Sequence, residues 1–180
     1  SDGKSIRFPE AQVRPMGRAA GGVRGMTLRE GDRVVGMEIL SPVATILTVT
    51  ERGYGKRTPL EDYRVQRRGG MGIITIRTSE RNGPVVSVAQ VVDDDEVMLI
   101  TDGGKGLRAR VAGISTMGRA TQGVRIMNLA DDEKIGDARK LYLTKYKELT
   151  VEDREALAKS GDEKVRAALA HDPLPRVITS

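Results

Sequence analysis

The residues best suited to chemistry in this chain are arginines set among glycines. Arg67 and Arg68 stand before the pair Gly69–Gly70 in QRRGGMG (66–72), and MGRAAGG (16–22) and MGRATQG (117–123) repeat the arrangement. Paired glycines permit a tight loop whose backbone N–H groups face an anion, and guanidiniums beside it offer bidentate donors that match a phosphate. Other chemistries have little to work with. Cysteine is absent, which removes disulfides and thiolate metal sites and suits a reducing compartment. His171, the one histidine, precedes Asp172–Pro173 and reads as a helix-end residue, too isolated for a metal cluster or a relay. Tyr54 and Tyr63 match no nucleophile motif and read as core packing. TDGGKGLR (101–108) lacks the Lys-Ser/Thr pair of a phosphate-binding P-loop and reads as a turn between strands.

These loops recur because the whole sequence recurs. Three stretches align in register: 3–28, 53–76 and 104–129, so that Arg7, Arg57 and Arg108 correspond, as do Gly22, Gly72 and Gly123. The linking segments 32–50 and 83–101 align as well, giving a repeat of about 50 residues. Each unit reads as about four short strands. ATILTVT (44–50) and EVMLIT (96–101) are apolar runs bounded by glycines, VVGMEI (34–39) and VVSVAQV (85–91) have strand character, and GIITIRT (72–78) alternates. DDDE (93–96) carries oxygen donors for Mg²⁺ or Ca²⁺, but its aligned partner PVAT (42–45) has no acid, so it reads as a solvated turn. The expected fold over residues 1–136 is mainly β and propeller-like, with four-stranded blades. Four Tyr, one Phe and no Trp in 180 residues agree with thin aliphatic layers between blades.

Charge follows the repeat. Net charge is +5 overall, but it is +3, +4 and +4 on the copies 1–28, 50–77 and 101–129, and −1, −4 and −2 on the segments after them. Residues 1–136 hold 17 Arg against 4 Lys. That ratio points to phosphate, although a GC-rich genome produces it too. Basic copies at equivalent places on successive blades make a stripe that a polyanion can follow. Without aromatic platforms the stripe suits duplex backbone better than stacked single strands. No run approaches the roughly 18 apolar residues of a membrane span.

The box QRRGGMG, with GYGKRTPLEDYR (53–64) before it and ERNG (80–83) after it, resembles the C-terminal domain of DNA gyrase A, part of a type IIA topoisomerase. The resemblance covers residues 1–136 and implies a partial β-pinwheel there. The family's box reads Gln, basic, Arg, Gly, Gly, basic, Gly; Met71 departs from it, so this is expected to be a degenerate copy, with the full box upstream of Ser1. The resemblance implies a six-bladed pinwheel that wraps duplex DNA around its basic rim in support of ATP-dependent negative supercoiling. The implied DNA-binding residues are Arg7, Arg14, Arg18, Arg24, Lys56, Arg57, Gln66, Arg67, Arg68, Gly69, Gly70, Lys105, Arg108, Arg110, Arg119 and Arg125. It further implies no catalysis by this portion alone, with ATP and Mg²⁺ used only by other domains or by the partner protein. Gyrase B and the rest of gyrase A are the implied partners, in a bacterial cytoplasmic, nucleoid-associated setting. The corresponding domain of topoisomerase IV, and a propeller-like module whose basic rim meets an acidic protein, are the alternatives.

After residue 136 the pattern stops and the remainder reads as a helical extension, 137–180. Thr150 with Asp153 forms a capping box, Gly161 a stop, Asp162 a second cap, and Leu157 with Val165, Ala168 and Leu169 two apolar faces. Its origin as a lineage-specific extension or a fusion is open.

Overall fold

Every residue of TILTVT except Leu47 is β-branched, and in the computed structural model, which describes residues 1–140, this run pairs with the segment after it. The hairpin joins β2 (Thr45–Thr50) to β3 (Tyr54–Pro59) through Gly53, whose φ of 77° only glycine adopts without strain. The remaining strands are β1 (Lys4–Ser5), β4 (Ile73–Ile74), β5 (Val85–Val91), β6 (Glu96–Thr101), β7 (Gly106–Arg110), β8 (Val124–Arg125) and β9 (Ile135–Lys140). Three sheets result, ordered β1-β4, β5-β2-β3-β8 and β7-β6-β9, with every strand pair antiparallel. Apart from strands, the described elements are 3-10 turns at Glu10–Gln12, Leu60–Asp62 and Val111–Gly113, one per repeat copy.

The outer strand of each sheet arrives from another part of the chain. β8, in the third copy, pairs with β3 of the second, and β4 of the second pairs with β1 of the first. Neighbouring units are therefore stitched by exchanged strands as well as by packing. The core lies between them: Leu47 and Val49 of β2 meet Val97 and Leu99 of β6, closed by Val91, Val111, Ile114 and Ile135. The opposite face of β2 places Ile46 against Leu60 and Tyr63. Each such aliphatic side chain contributes about 1.5–3 kcal/mol on burial, so thin layers suffice without large aromatics. Tyr54 and Tyr63 are both buried, as their assignment to packing requires.

Four expectations need correction. Among the described residues only one sheet has four strands; the others have three and two. VVGMEI (34–39) is not a strand, because its equivalents β5 and β9 pair with β2 and β6, and no matching partner stands beside it among the described residues. Val34, Met37 and Ile39 are consequently 60 %, 85 % and 80 % exposed. In GIITIRT just two residues are strand, with Ile74 turned outward and Thr75 inward. Finally, β9 runs through Lys140, past residue 136, since DARK pairs with β6 through backbone hydrogen bonds that its polar side chains do not betray. The caps and faces expected from Thr150 onward lie outside the described residues.

Candidate nucleic-acid interface

The basic residues fall into three groups once their hydrogen bonds are followed. The first group is internal. Carbonyls of the second and third 3-10 turns, or of the residue after them, accept from an arginine of the preceding copy, Leu60 O in addition to the Tyr63 N–H it already binds. Arg7 donates to Leu60 O at 2.9 Å and Tyr63 O at 3.2 Å; one repeat later, Arg57 donates from Nε to Ile114 O at 3.0 Å. Arg57 also pairs with Asp93, so the acidic turn is an anchor of the joint and more than a solvated loop. Backbone bridges Arg7–Val65 and Arg57–Thr116 repeat at the same places. Lys56 is fully buried, and its ammonium donates to Gly118 O and Arg119 O, both at 2.6 Å. Burial pushes its pKa down to about 8, with Asp62 opposing and Arg119 assisting. Arg7, Lys56 and Arg57 are thus staples between copies. For Arg7 and Arg57, equivalence along the repeat marks a shared joint geometry as readily as a shared outer rim, so their spacing does not separate the two.

The second group is the glycine–arginine loop itself. Arg68 donates from its backbone to Gln12 Oε1 at 2.8 Å, and from its guanidinium to Gln12 O at 3.0 Å and Arg24 O at 2.9 Å. Arg119 repeats this on the previous copy, with backbone to Asp62 Oδ2 at 3.3 Å and guanidinium to Ile74 O at 2.6 Å. Each loop is held by the unit before it. The glycines serve that joint: Gly72 and Gly123 have φ of 72° and 79°, and a Cβ on Gly123 would stand 2.8 Å from Gly55 O. The N–H of Gly69 donates to Gly25 O, so it is engaged and does not face outward as expected; Gly70 O accepts from Thr27 N. Gln66 donates its backbone N–H to Arg7 O, while its buried Nε2 has no partner among the described residues.

The third group faces solvent. Arg14, Arg18, Arg24, Arg67 and Arg110 are exposed, and none has a side-chain partner among the described residues. Arg108 and Lys105 are exposed but pair with Glu96 and Glu133. Arg125 is exposed and donates to the hydroxyl of Tyr54 at 2.9 Å. Arg81, which the repeat comparison left among the acidic segments, donates to the same hydroxyl at 3.2 Å. Both guanidiniums lie over the Tyr54 ring, 5.2 and 5.3 Å from its centre. The hydrogen bond from Arg125, then that from Arg81, holds the Tyr54 phenol below its ordinary pKa. The pairing of β8 with β3 brings Arg125 to Tyr54, and the backbone bonds of residues 51–52 to Pro84 O and Asn82 O bring the turn that carries Arg81.

The family described as "DNA gyrase C-terminal domain, beta-propeller" matches residues 1–41, 44–91 and 95–138, three segments at the spacing of the repeat. Among curated relatives, the DNA gyrase A protein of Staphylococcus aureus strain MRSA252 is 44% identical over 172 residues, and that of strain NCTC 8325 is 45% identical over 175 residues. Each alignment covers 94% of this chain, which spans only 19% and 20% of those relatives. Among solved structures, a DNA gyrase A C-terminal domain superposes with TM-score 0.72 at 30% identity, covering 77% of this chain and 47% of that one. A DNA topoisomerase IV C-terminal domain superposes with TM-score 0.73 at 26% identity, covering 94% of this chain and 49% of that one. Three matched segments, one repeat apart and built on the same exchanged-strand joint, carry the assignment: this chain belongs to the DNA gyrase C-terminal domain family of β-propellers.

Proposed function

We propose that this chain is part of the DNA-wrapping domain of a gyrase A protein, which bends duplex DNA along its basic rim. The observation that supports this most strongly is the repeated loop joint. Arg68 and Arg119 are gripped in the same way by the preceding copy, which sets their loops at a fixed interval. Exposed Arg18, Arg24 and Arg67 add charge free of carboxylates. A duplex following such a rim would contact phosphates at regular intervals with little base readout, and its specificity would come from deformability. In the whole protein the wrap would serve ATP-dependent negative supercoiling, with gyrase B and the rest of gyrase A as partners, in the bacterial cytoplasm. Among the described residues no helix is long and apolar enough to cross a membrane.

The test is a salt titration of binding to a duplex of about 150 bp. Affinity should fall with a log–log slope of about −0.9 per phosphate neutralised, and binding unchanged between about 50 and 200 mM salt would defeat the reading. The topoisomerase IV likeness supplies the second reading, although the similar curated relatives are gyrase A proteins at 44–45% identity. A supercoiling assay on the full-length protein separates the two, since gyrase introduces negative supercoils and topoisomerase IV does not.

A further inference from the structure

Tyr54 opens β3 with its side chain 3 % exposed, and two solvent-facing arginines from different parts of the chain converge on it. Arg81 comes from the turn before β5 and Arg125 from β8 of the next copy. Their guanidiniums share one phenolic oxygen, at 3.2 and 2.9 Å, and one ring face-quadrupole, at 5.2 and 5.3 Å. Two like charges this close repel, and neither forms an ion pair among the described residues. An anion placed against both relieves that repulsion. A guanidinium carries five donors in a rigid fork, and each of these spends one on the hydroxyl, leaving the rest for oxygen atoms outside.

We propose that Arg81 and Arg125 form a clamp for a single phosphodiester of the bound duplex, and that Tyr54 is the positioning residue that sets them side by side. The proposal rests on the DNA-binding reading above and adds a specific subsite to it. Alternation along β3 puts Tyr54 on the same face as Lys56, whose ammonium holds the loop at Gly118 and Arg119. The clamp is therefore continuous with a basic loop. Among the three described copies it occurs once. The positions aligned with Tyr54 are Lys4 and Lys105, and those aligned with Arg125 are Arg24 and Ile74, so no other copy can assemble a tyrosine between two arginines. A contact made at one joint fixes the register of the duplex, whereas the repeated arginines only attract it.

The experiment uses the whole 180-residue chain with a fluorescent duplex of about 150 bp, titrated with salt, and a thermal melt of each variant. Replacing both Arg81→Ala and Arg125→Ala should flatten the log–log slope by about 0.9, the loss of one phosphate. The paired changes Arg81→Lys and Arg125→Lys should keep the slope, because both charges remain, yet weaken binding at fixed salt because the planar fork is gone. Tyr54→Phe keeps the ring but not the shared acceptor; the slope should stay and affinity should fall about three- to tenfold, the size of a lost hydrogen-bonded contact. A double-alanine variant with the wild-type slope overturns the clamp. Tyr54→Phe binding as tightly as wild type overturns the positioning role. A wild-type chain whose binding ignores salt is a separate result that removes the underlying reading and the clamp with it. Since both arginines are exposed, their variants test the clamp even where Tyr54→Phe melts early.

Discussion

The ammonium of Lys56 lies 2.6 Å from the carbonyl oxygen of Arg119, and no part of the residue is open to water. A strand residue of one repeat copy thereby ties down the basic loop of the next. The charge is spent inside the protein, on two carbonyls, and the loop it fixes lies at the surface.

That burial makes stability depend on pH in a definite direction. The unfolded chain keeps the Lys56 proton to about pH 10.4, while the folded chain releases it near pH 8. Between these values the unfolded state binds more protons, so stability rises with pH across that window. The gain is of order 1–2 kcal/mol, less than the full shift because water reaches the exposed loop beside the ammonium. Lys56→Met should flatten the rise, which denaturant unfolding from pH 8 to 10 would show; a rise persisting in the variant assigns it to another group.

Arg57 and Arg67 should behave oppositely although both sit in basic copies. Arg57→Ala strips Ile114 O and Asp93 of their donor and should cost about 2–3 kcal/mol of stability. Arg67→Ala removes an exposed side chain with no partner and should leave stability within about 0.5 kcal/mol while lowering the salt slope by about 0.9. Equal destabilisation of the two, read by chemical denaturation, would count against the division into staples and rim.

Three glycines give a graded series. Gly72 has positive φ, and an added Cβ would collide with Ser5 O; Gly22 has a similar φ with nothing within 4 Å; Gly17 has neither constraint. Alanine should cost more than about 2 kcal/mol at Gly72, about 1 at Gly22 and within about 0.5 of nothing at Gly17. Any other order in the melting temperatures contradicts the joint geometry.

Asn82 is fully buried and binds Ser79 through its oxygen and Arg77 O and Gln122 O through its nitrogen, at 2.9 and 3.1 Å. Asn82→Asp turns two donors into acceptors aimed at carbonyls and should cost about 2–3 kcal/mol at neutral pH. A far-UV melt indistinguishable from wild type would show that the bridge between copies contributes nothing to stability.

The repeat, the β class and the glycines at 22, 72 and 123 were legible in the residues, because strands need period two, turns with positive φ need glycine, and copies of one unit carry the same text. β6 matches EVMLIT and β5 matches VVSVAQV residue for residue. The segment 34–39 has the same strand character and still is not a strand, because a strand is completed by a partner and no described strand pairs with it. The basic site divides in the same way. Composition and spacing determined that positive charge recurs every copy. Only the tertiary structure decided that Arg7, Lys56 and Arg57 turn inward to carbonyls, while Arg81 joins Arg125 on the surface. A lysine buried against Gly118 O, 62 residues away, and one in water are the same letter in the sequence. What separates them is whether the fold delivers an acceptor, and that is set by how β8 and the loop before it cross to the preceding sheet.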